Sequence, residues 1–400
     1  MSTSMNNDGV TSVFTSVFLG APPQPQPIPD PGYSRQVVFY GAPGTGKSHQ
    51  VDKIVRADKE SVRTTFHPDS DYSTFVGAYK PTMVPNGAGG ERIVYKFITQ
   101  SFLSAYVNAW KRHDANIIQY LVIEEINRGN CAQIFGDLFQ LLDRNDSGYS
   151  SYSIKADYDL AARLKELLSD VAISQTSKMS INALYDNVDV MKSVLEGQQL
   201  LLPRNFYIWA TMNTSDQSLF PIDSAFKRRW DWEYIPIVEG KAEDKVTPLG
   251  WQIAMGAEKY DWWDFVKKVN AVVWDKTSSE DKMIGYFFVK AKDGIISTET
   301  MVNKVFFYLW NDVFKDSGLD EDVFTLTVGS AKEQIEFRRF FNSDTGKIDE
   351  AVVKTFLENL KVKKAGTSVG GASSTSSETA LSSSAPAQDS VAADSTTTAS

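Results

Sequence analysis

The sequence has 400 residues, 42% of them hydrophobic and 23% charged, with 41 Lys and Arg against 50 Asp and Glu for a formal net charge of −9. This is an ordinary globular mix, long enough for about two or three domains, and too acidic for a protein whose whole surface binds nucleic acid. One cysteine (Cys131) and three histidines (His49, His67, His113) exclude an internal disulfide framework and a Cys/His zinc site of the usual spacing, and no apolar run approaches the roughly 18 residues of a membrane span.

Residues 1–34 read as an arm, polar at first and then Pro-rich through APPQPQPIPDPG. The stretch VFTSVFLGA has no basic segment before it and follows Asp8, so it is not read as a signal peptide. A soluble, cytoplasmic protein is expected.

The next segment, 35–236, alternates strand and helix patterns. RQVVFYG is a β-rich run ending in Gly, and a helix-compatible stretch follows from Lys47. SVRTTF is a second strand, and 99–113 fits a helix. IIQYLVIEE is a continuous apolar run ending in two carboxylates, as strands buried on both faces of a parallel sheet read. CAQIFGDLFQLLDR is expected to be one amphipathic helix, with Ile134, Leu138, Leu141 and Leu142 on one side. A helical insertion is expected at about 146–203, one helix carrying Leu160, Leu164, Leu167, Leu168 and Val171 and a second carrying Ile181, Leu184, Val188, Met191 and Leu195. NFYIWATMN is a further buried strand. The alternation predicts an α/β fold with a doubly wound parallel sheet.

Residues 237–364 are rich in Trp and Phe at irregular helical spacing and are expected to form a small, mostly helical domain. From 365 to 400, 17 of 36 residues are Ser or Thr and none is aromatic. Such a tail cannot bury enough apolar surface to offset its chain entropy and is expected to be disordered.

Four motifs carry chemistry. GAPGTGKS, residues 41–48, fits G-x-x-x-x-G-K-[ST] between a strand and a helix. Its glycines (Gly41, Gly44, Gly46), with Ala42, Pro43 and Thr45, let the backbone fold around phosphates and aim N–H groups inward. The helix N-terminus adds partial positive charge. Lys47 reaches the β- and γ-phosphates, and Ser48 offers a hydroxyl to Mg²⁺. In YLVIEE the strand end places Glu124 where a carboxylate holds Mg²⁺ through water and Glu125 where one polarises an attacking water. Two acids alone read as a solvated strand end; a phosphate loop upstream changes that. In ATMN, Asn213 can orient the water or sense the γ-phosphate. In SAFKRRW, Arg228 and Arg229 can stabilise charge on the transferring phosphate, although a basic helix end is also favoured by the macrodipole alone. H-E-x-x-H and the guanine-reading N-K-x-D are absent.

Together these motifs resemble an AAA+ NTPase. VIEEINRGNCAQIFGDLFQLLD is similar to the Walker B segment of the McrB family, GTP-hydrolysing motor subunits of restriction systems that cut DNA with modified cytosine. ATMNTSDQS resembles that family's M-N-T-x-D-R-S signature, TFHPDSDYSTFVGAYKP its block after the second strand, and IGYFFVKA with NKVFFYLWNDVF its lid. The resemblance covers about 35–340, and related dynein-like AAA proteins share much of it and use ATP. It implies an AAA+ fold with a small C-terminal helical lid, GTP or ATP as substrate, Mg²⁺, a homo-hexamer, a separate McrC-like nuclease, and contact with DNA through that partner or a pore. It implies that Gly41–Ser48 bind nucleotide and Mg²⁺, that Glu124 is the metal-side acid and Glu125 the catalytic carboxylate, that Asn213 is sensor 1, that Asp216 belongs to the signature motif, and that one of Arg228 and Arg229 is a finger reaching a neighbouring subunit's nucleotide. Four features depart from the family. Glu124 stands for the usual Asp, Gln217 for the signature Arg, the insertion at 146–203 is larger than the family leads one to expect, and about 34 residues precede the first strand, so no DNA-reading domain is expected there. The alternatives are a dynein-related or MoxR-like ATPase that remodels protein complexes without a nuclease, and a catalytically dead scaffold that uses nucleotide only to assemble.

Overall fold

The computed structural model describes residues 29–366 except 86–89, 187, 215–219, 316–317, 319–321 and 329–330. The arm through residue 28 and the tail from 367 lie outside the described residues.

Three apolar runs become the heart of a five-stranded parallel sheet: β1 (Gln36–Gly41), β5 (Gln119–Glu124) and β8 (Phe206–Asn213), with β2 (Val62–Thr65) and β9 (Asp231–Tyr234) at its edges, in the order β2-β5-β8-β1-β9. The other four described strands of this half form two separate antiparallel pairs, the hairpin of β3 (Gly77–Pro85) and β4 (Glu91–Thr99) and the short pair of β6 (Ile154–Lys155) and β7 (Gln199–Leu200). Both faces of the sheet are covered, which is why its central strands read as unbroken apolar runs. Val38, Leu121, Ile123, Ile208 and Ala210 face one core with α3 (Ser101–Lys111). Val37, Phe39, Val122 and Trp209 face another with Val51 and Val55 of α1 (Lys47–Val55). The end of the expected arm takes part: Tyr33 packs edge-on against Phe39 and Trp209, and the Trp209 indole donates to the Ser34 carbonyl.

Two expectations need correction. The predicted helix at 131–144 is broken: α4 runs Cys131–Phe135, Gly136 adopts φ 49, and a tighter 3₁₀ turn follows over Gly136–Leu142. A left-handed glycine cannot continue an α-helix, yet Ile134, Leu138, Leu141 and Leu142 stay buried. The insertion holds three helices rather than two, α5 (Tyr158–Leu168), α6 (Gln175–Asn182) and α7 (Val190–Leu195). The second predicted helix divides where Asp186 turns left-handed and Asp189 caps α7 by accepting from the Lys192 N–H. Leu160, Leu164 and Leu168 of α5 and Met191 of α7 join the sheet's own core, whereas Leu184 is exposed. The second half adds short strands to its helices: β10 (Gln252–Met255), β11 (Glu258–Asp261) and β12 (Ile295–Ile296) form a small sheet, and β13 (Thr325–Val328) pairs with β14 (Ala331–Gln334). Ile253 and Met255 alternate with half-buried neighbours, a strand pattern too short to stand out among the tryptophans. These strands pack with the long helix Trp262–Thr277, the helical stretch 298–313 and the helix Glu350–Asn359. The aromatic centre of this region is Phe306, Trp310, Phe340 and Phe356.

At the start of the sheet, Arg144 fastens several turns together. Its guanidinium donates to the Gln36 amide oxygen and to the carbonyls of Gly148, Leu202, Pro203 and Phe206, at 2.9–3.2 Å. No carboxylate pairs with it among the described residues. No helix of the described residues is long and apolar enough to cross a membrane.

Candidate functional site

β1 ends directly in the phosphate-loop motif, and α1 begins within it. Gly46 stands at the helix N-terminus with φ 94, and Gly44 has φ 79. Lys47 is 6% exposed. Its ammonium donates to the carbonyls of Gly41 and Ala42, each at 2.9 Å. Burial pulls its pKa down to about 8, against the upward pull of Glu125 and Glu124. At neutral pH it is therefore a charged group held by two neutral acceptors, a state that phosphate oxygens would improve.

The parallel register brings the other strand ends alongside. Ile123 of β5 is level with Ala210 of β8, and Gly41 of β1 with Asn213. Ligands in open α/β sheets bind at such carboxyl ends. Glu124 receives hydrogen bonds from the Ser48 hydroxyl at 2.9 Å and from Thr211, and pairs with Arg63. Arg63 also pairs with Asp52 of α1. Glu125 takes φ 54, a left-handed conformation uncommon outside glycine. Its Oε1 accepts from the Asn213 amide at 2.6 Å, and Arg128 lies 3.7 Å from its Oε2. The Asn127 amide in turn donates to the Asn213 carbonyl at 2.7 Å. Lys47, Ser48, Glu124, Glu125 and Asn213, picked from sequence on three separate segments, thus converge. The longer Glu124 reaches Ser48 despite standing for the usual Asp.

The residues fit a hard divalent cation. Ser48 and Glu124 present oxygen donors in direct contact. Among the described residues no group of three or more His, Cys, Asp or Glu could hold a metal ion. A cation here would draw its remaining ligands from phosphate and water, the habit of Mg²⁺.

The two arginines separate. Arg228 is exposed just past α8 (Ser224–Lys227). The Arg229 side chain is only 8% exposed, pairs with Asp143 at 2.6 Å, donates to the Ala225 carbonyl, and stacks 3.9 Å over the Phe139 ring. Asp216 and Gln217 lie outside the described residues.

Sequence reasoning missed Thr211 and Arg63, and it did not place the lid-like segment Gly285–Phe288 against the phosphate loop. Thr211 was signalled, since it sits two residues before Asn213 and so on the same strand face. Nothing in the pattern around Arg63 announces its reach. The third element closes on the phosphate loop backbone to backbone: the Gly285 N–H donates to the Pro43 carbonyl and the Phe287 N–H to that of Gly44, both at 2.8 Å. A side chain at Gly44 would collide with Phe288, and one at Gly285 with Gly44 itself.

Residues 36–230 match the family model of the AAA domain, dynein-related subfamily. The chain is 34% identical over 308 residues to the type II restriction enzyme BsuMI component YdiS of Bacillus subtilis, covering 70% of this chain and 80% of that protein. It is 24% identical over 207 residues to the type IV methyl-directed restriction enzyme EcoKMcrB subunit of Escherichia coli, covering 50% of this chain and 34% of that protein, so it spans about a third of that subunit's length. The chain belongs to the dynein-related AAA family, as a P-loop NTPase of the McrB-like kind.

Proposed function

We propose that this chain hydrolyses a nucleoside triphosphate as the oligomeric motor subunit of an McrBC-like restriction system, working with a separate nuclease. The observation that carries the hydrolytic part is the Asn213–Glu125 hydrogen bond of 2.6 Å, set beside the Ser48–Glu124 contact. Lys47 and the loop N–H groups bind the β- and γ-phosphates. Glu125, oriented by Asn213, takes the proton of the attacking water. Ser48 and Glu124 would hold Mg²⁺, which when bound would supply charge neutralisation on the phosphate oxygens. Arg229 is committed within its own chain, so Arg228 is the group free to reach a neighbour's nucleotide, which calls for an oligomer. Two relatives named as restriction-enzyme components support the restriction context. GTP is the expected substrate on the family resemblance.

The test is steady-state hydrolysis of GTP and ATP with Mg²⁺, with mass by size exclusion alongside and Glu125→Gln as the blank. Preference for GTP with nucleotide-dependent oligomers is expected. Glu125→Gln should bind nucleotide normally and turn over about 10²–10³-fold more slowly. Wild-type turnover in that variant would remove Glu125 as the base. Clear preference for ATP without oligomers would favour a remodelling ATPase.

A further inference from the structure

Glu124 is the acid assigned to the metal, yet in this structure it already has a cation. One carboxylate oxygen receives Ser48 and Thr211, and the other pairs with Arg63. Arg63 comes from the edge strand β2, and its second nitrogen pairs with Asp52 on α1, the helix that starts in the phosphate loop. The Glu124 side chain is 14% exposed, whereas those of Arg63 and Asp52 are 39% and 41% exposed. The guanidinium is therefore the mobile partner, with a solvated carboxylate waiting beside it, and the carboxylate it serves is the one that cannot easily go without a counter-charge.

We infer that Arg63 is a displaceable counter-cation: it neutralises Glu124 while the divalent ion is away and withdraws to Asp52 when the ion and nucleotide arrive. Arg63 is a positioning residue here, touching neither substrate nor reacting atoms. A second positive charge beside one carboxylate is unfavourable at a few ångströms, so the ion and the guanidinium compete for Glu124. Because the other end of Arg63 is tied to α1, the exchange also relocates a charge along the helix that cradles the phosphates. The extra methylene of Glu124 suits this role, since its two oxygens serve Ser48 and Arg63 at once.

The inference rests on the nucleotide–metal reading of the site, and the experiment separates the two. Mn²⁺ affinity of the full chain is measured by electron paramagnetic resonance with a non-hydrolysable triphosphate analogue. Arg63→Gln should tighten Mn²⁺ binding about fivefold or more, Arg63→Lys should restore the wild-type value, and Asp52→Asn should weaken binding about threefold by driving Arg63 onto Glu124. Arg56→Gln, which removes a cation from the end of the same helix without touching Glu124, sets the baseline of general electrostatics. An effect of Arg63→Gln no larger than that baseline, or of opposite sign, would overturn the inference. If Arg63→Gln fails to fold, Asp52→Asn decides alone, and unchanged affinity there overturns it. Loss of Mn²⁺–nucleotide binding in the wild-type chain would instead sink the reading of the site itself.

Discussion

Where β1, β5 and β8 end, buried and half-buried charges are held by partners that can let go: Lys47 by two carbonyls, Glu124 by two hydroxyls and an exposed guanidinium, Glu125 by the Asn213 amide and the exposed Arg128. Where β1 and β8 begin, Arg144 is held by four backbone carbonyls and the Gln36 amide, and Arg229 by an ion pair, a carbonyl and a ring. Both ends bury charge without a simple buried ion pair. The difference is that Arg144 is fixed by backbone acceptors already in their final places, while Glu124 and Glu125 are held by side chains, which can change partners without moving the main chain. One end is built to persist and the other to be occupied.

Substitutions can break this contrast. The largest effect is expected for Lys47→Met, which should abolish measurable nucleotide binding by calorimetry while leaving the fold intact. Next, Arg228→Ala should lower turnover by about 10³-fold with an unchanged melting temperature; full activity would show that it serves no neighbour. Arg144→Met at the opposite end should cost about 3 kcal/mol in urea denaturation, because several carbonyls lose their donor at once, with nucleotide affinity unaltered. Arg229→Ala should cost about 1 kcal/mol from its ion pair and ring contact.

The contrast sharpens further with pH. The folded state holds the Lys47 pKa at about 8, below its ordinary value of 10.5. A depressed lysine pKa means that folding disfavours the charged form, so the wild type carries a penalty below pH 8 that fades as pH rises toward 10.5. Lys47→Met should therefore gain at most about 3 kcal/mol over the wild type at pH 7, less what the two carbonyls lose, and the gain should shrink above pH 8. A stability difference that stays flat from pH 7 to 10 would show that the loop does not strain this charge.

The strands around the site were legible because burial on both faces leaves unbroken apolar runs, and the phosphate loop because its glycines and lysine keep fixed spacing. Glu125 and Asn213 were legible as polar groups ending such runs. Breaks that depend on one backbone angle were not: nothing in CAQIFGDLFQLLDR distinguishes a tolerated helical glycine from Gly136 at φ 49. Contacts made by long side chains across strands, such as Arg63 to Glu124, follow from register and reach, which a linear pattern does not encode. The hairpin of β3 and β4 went unread because Tyr79, Met83, Ile93 and Tyr95 are exposed apolar residues, and an alternation rule assigns such residues to a core.

The segment at Gly285 is hydrogen-bonded to the phosphate loop through main-chain atoms. The two facing glycines, 44 and 285, are fixed by lack of room, and Tyr286 by its place in the core of the C-terminal region, whereas the Phe287 amide keeps its partner whatever side chain it carries. The linkage between the nucleotide loop and the aromatic C-terminal region should thus outlast divergence at its more exposed positions, with the least tolerance at the matched pair of glycines and at the buried tyrosine.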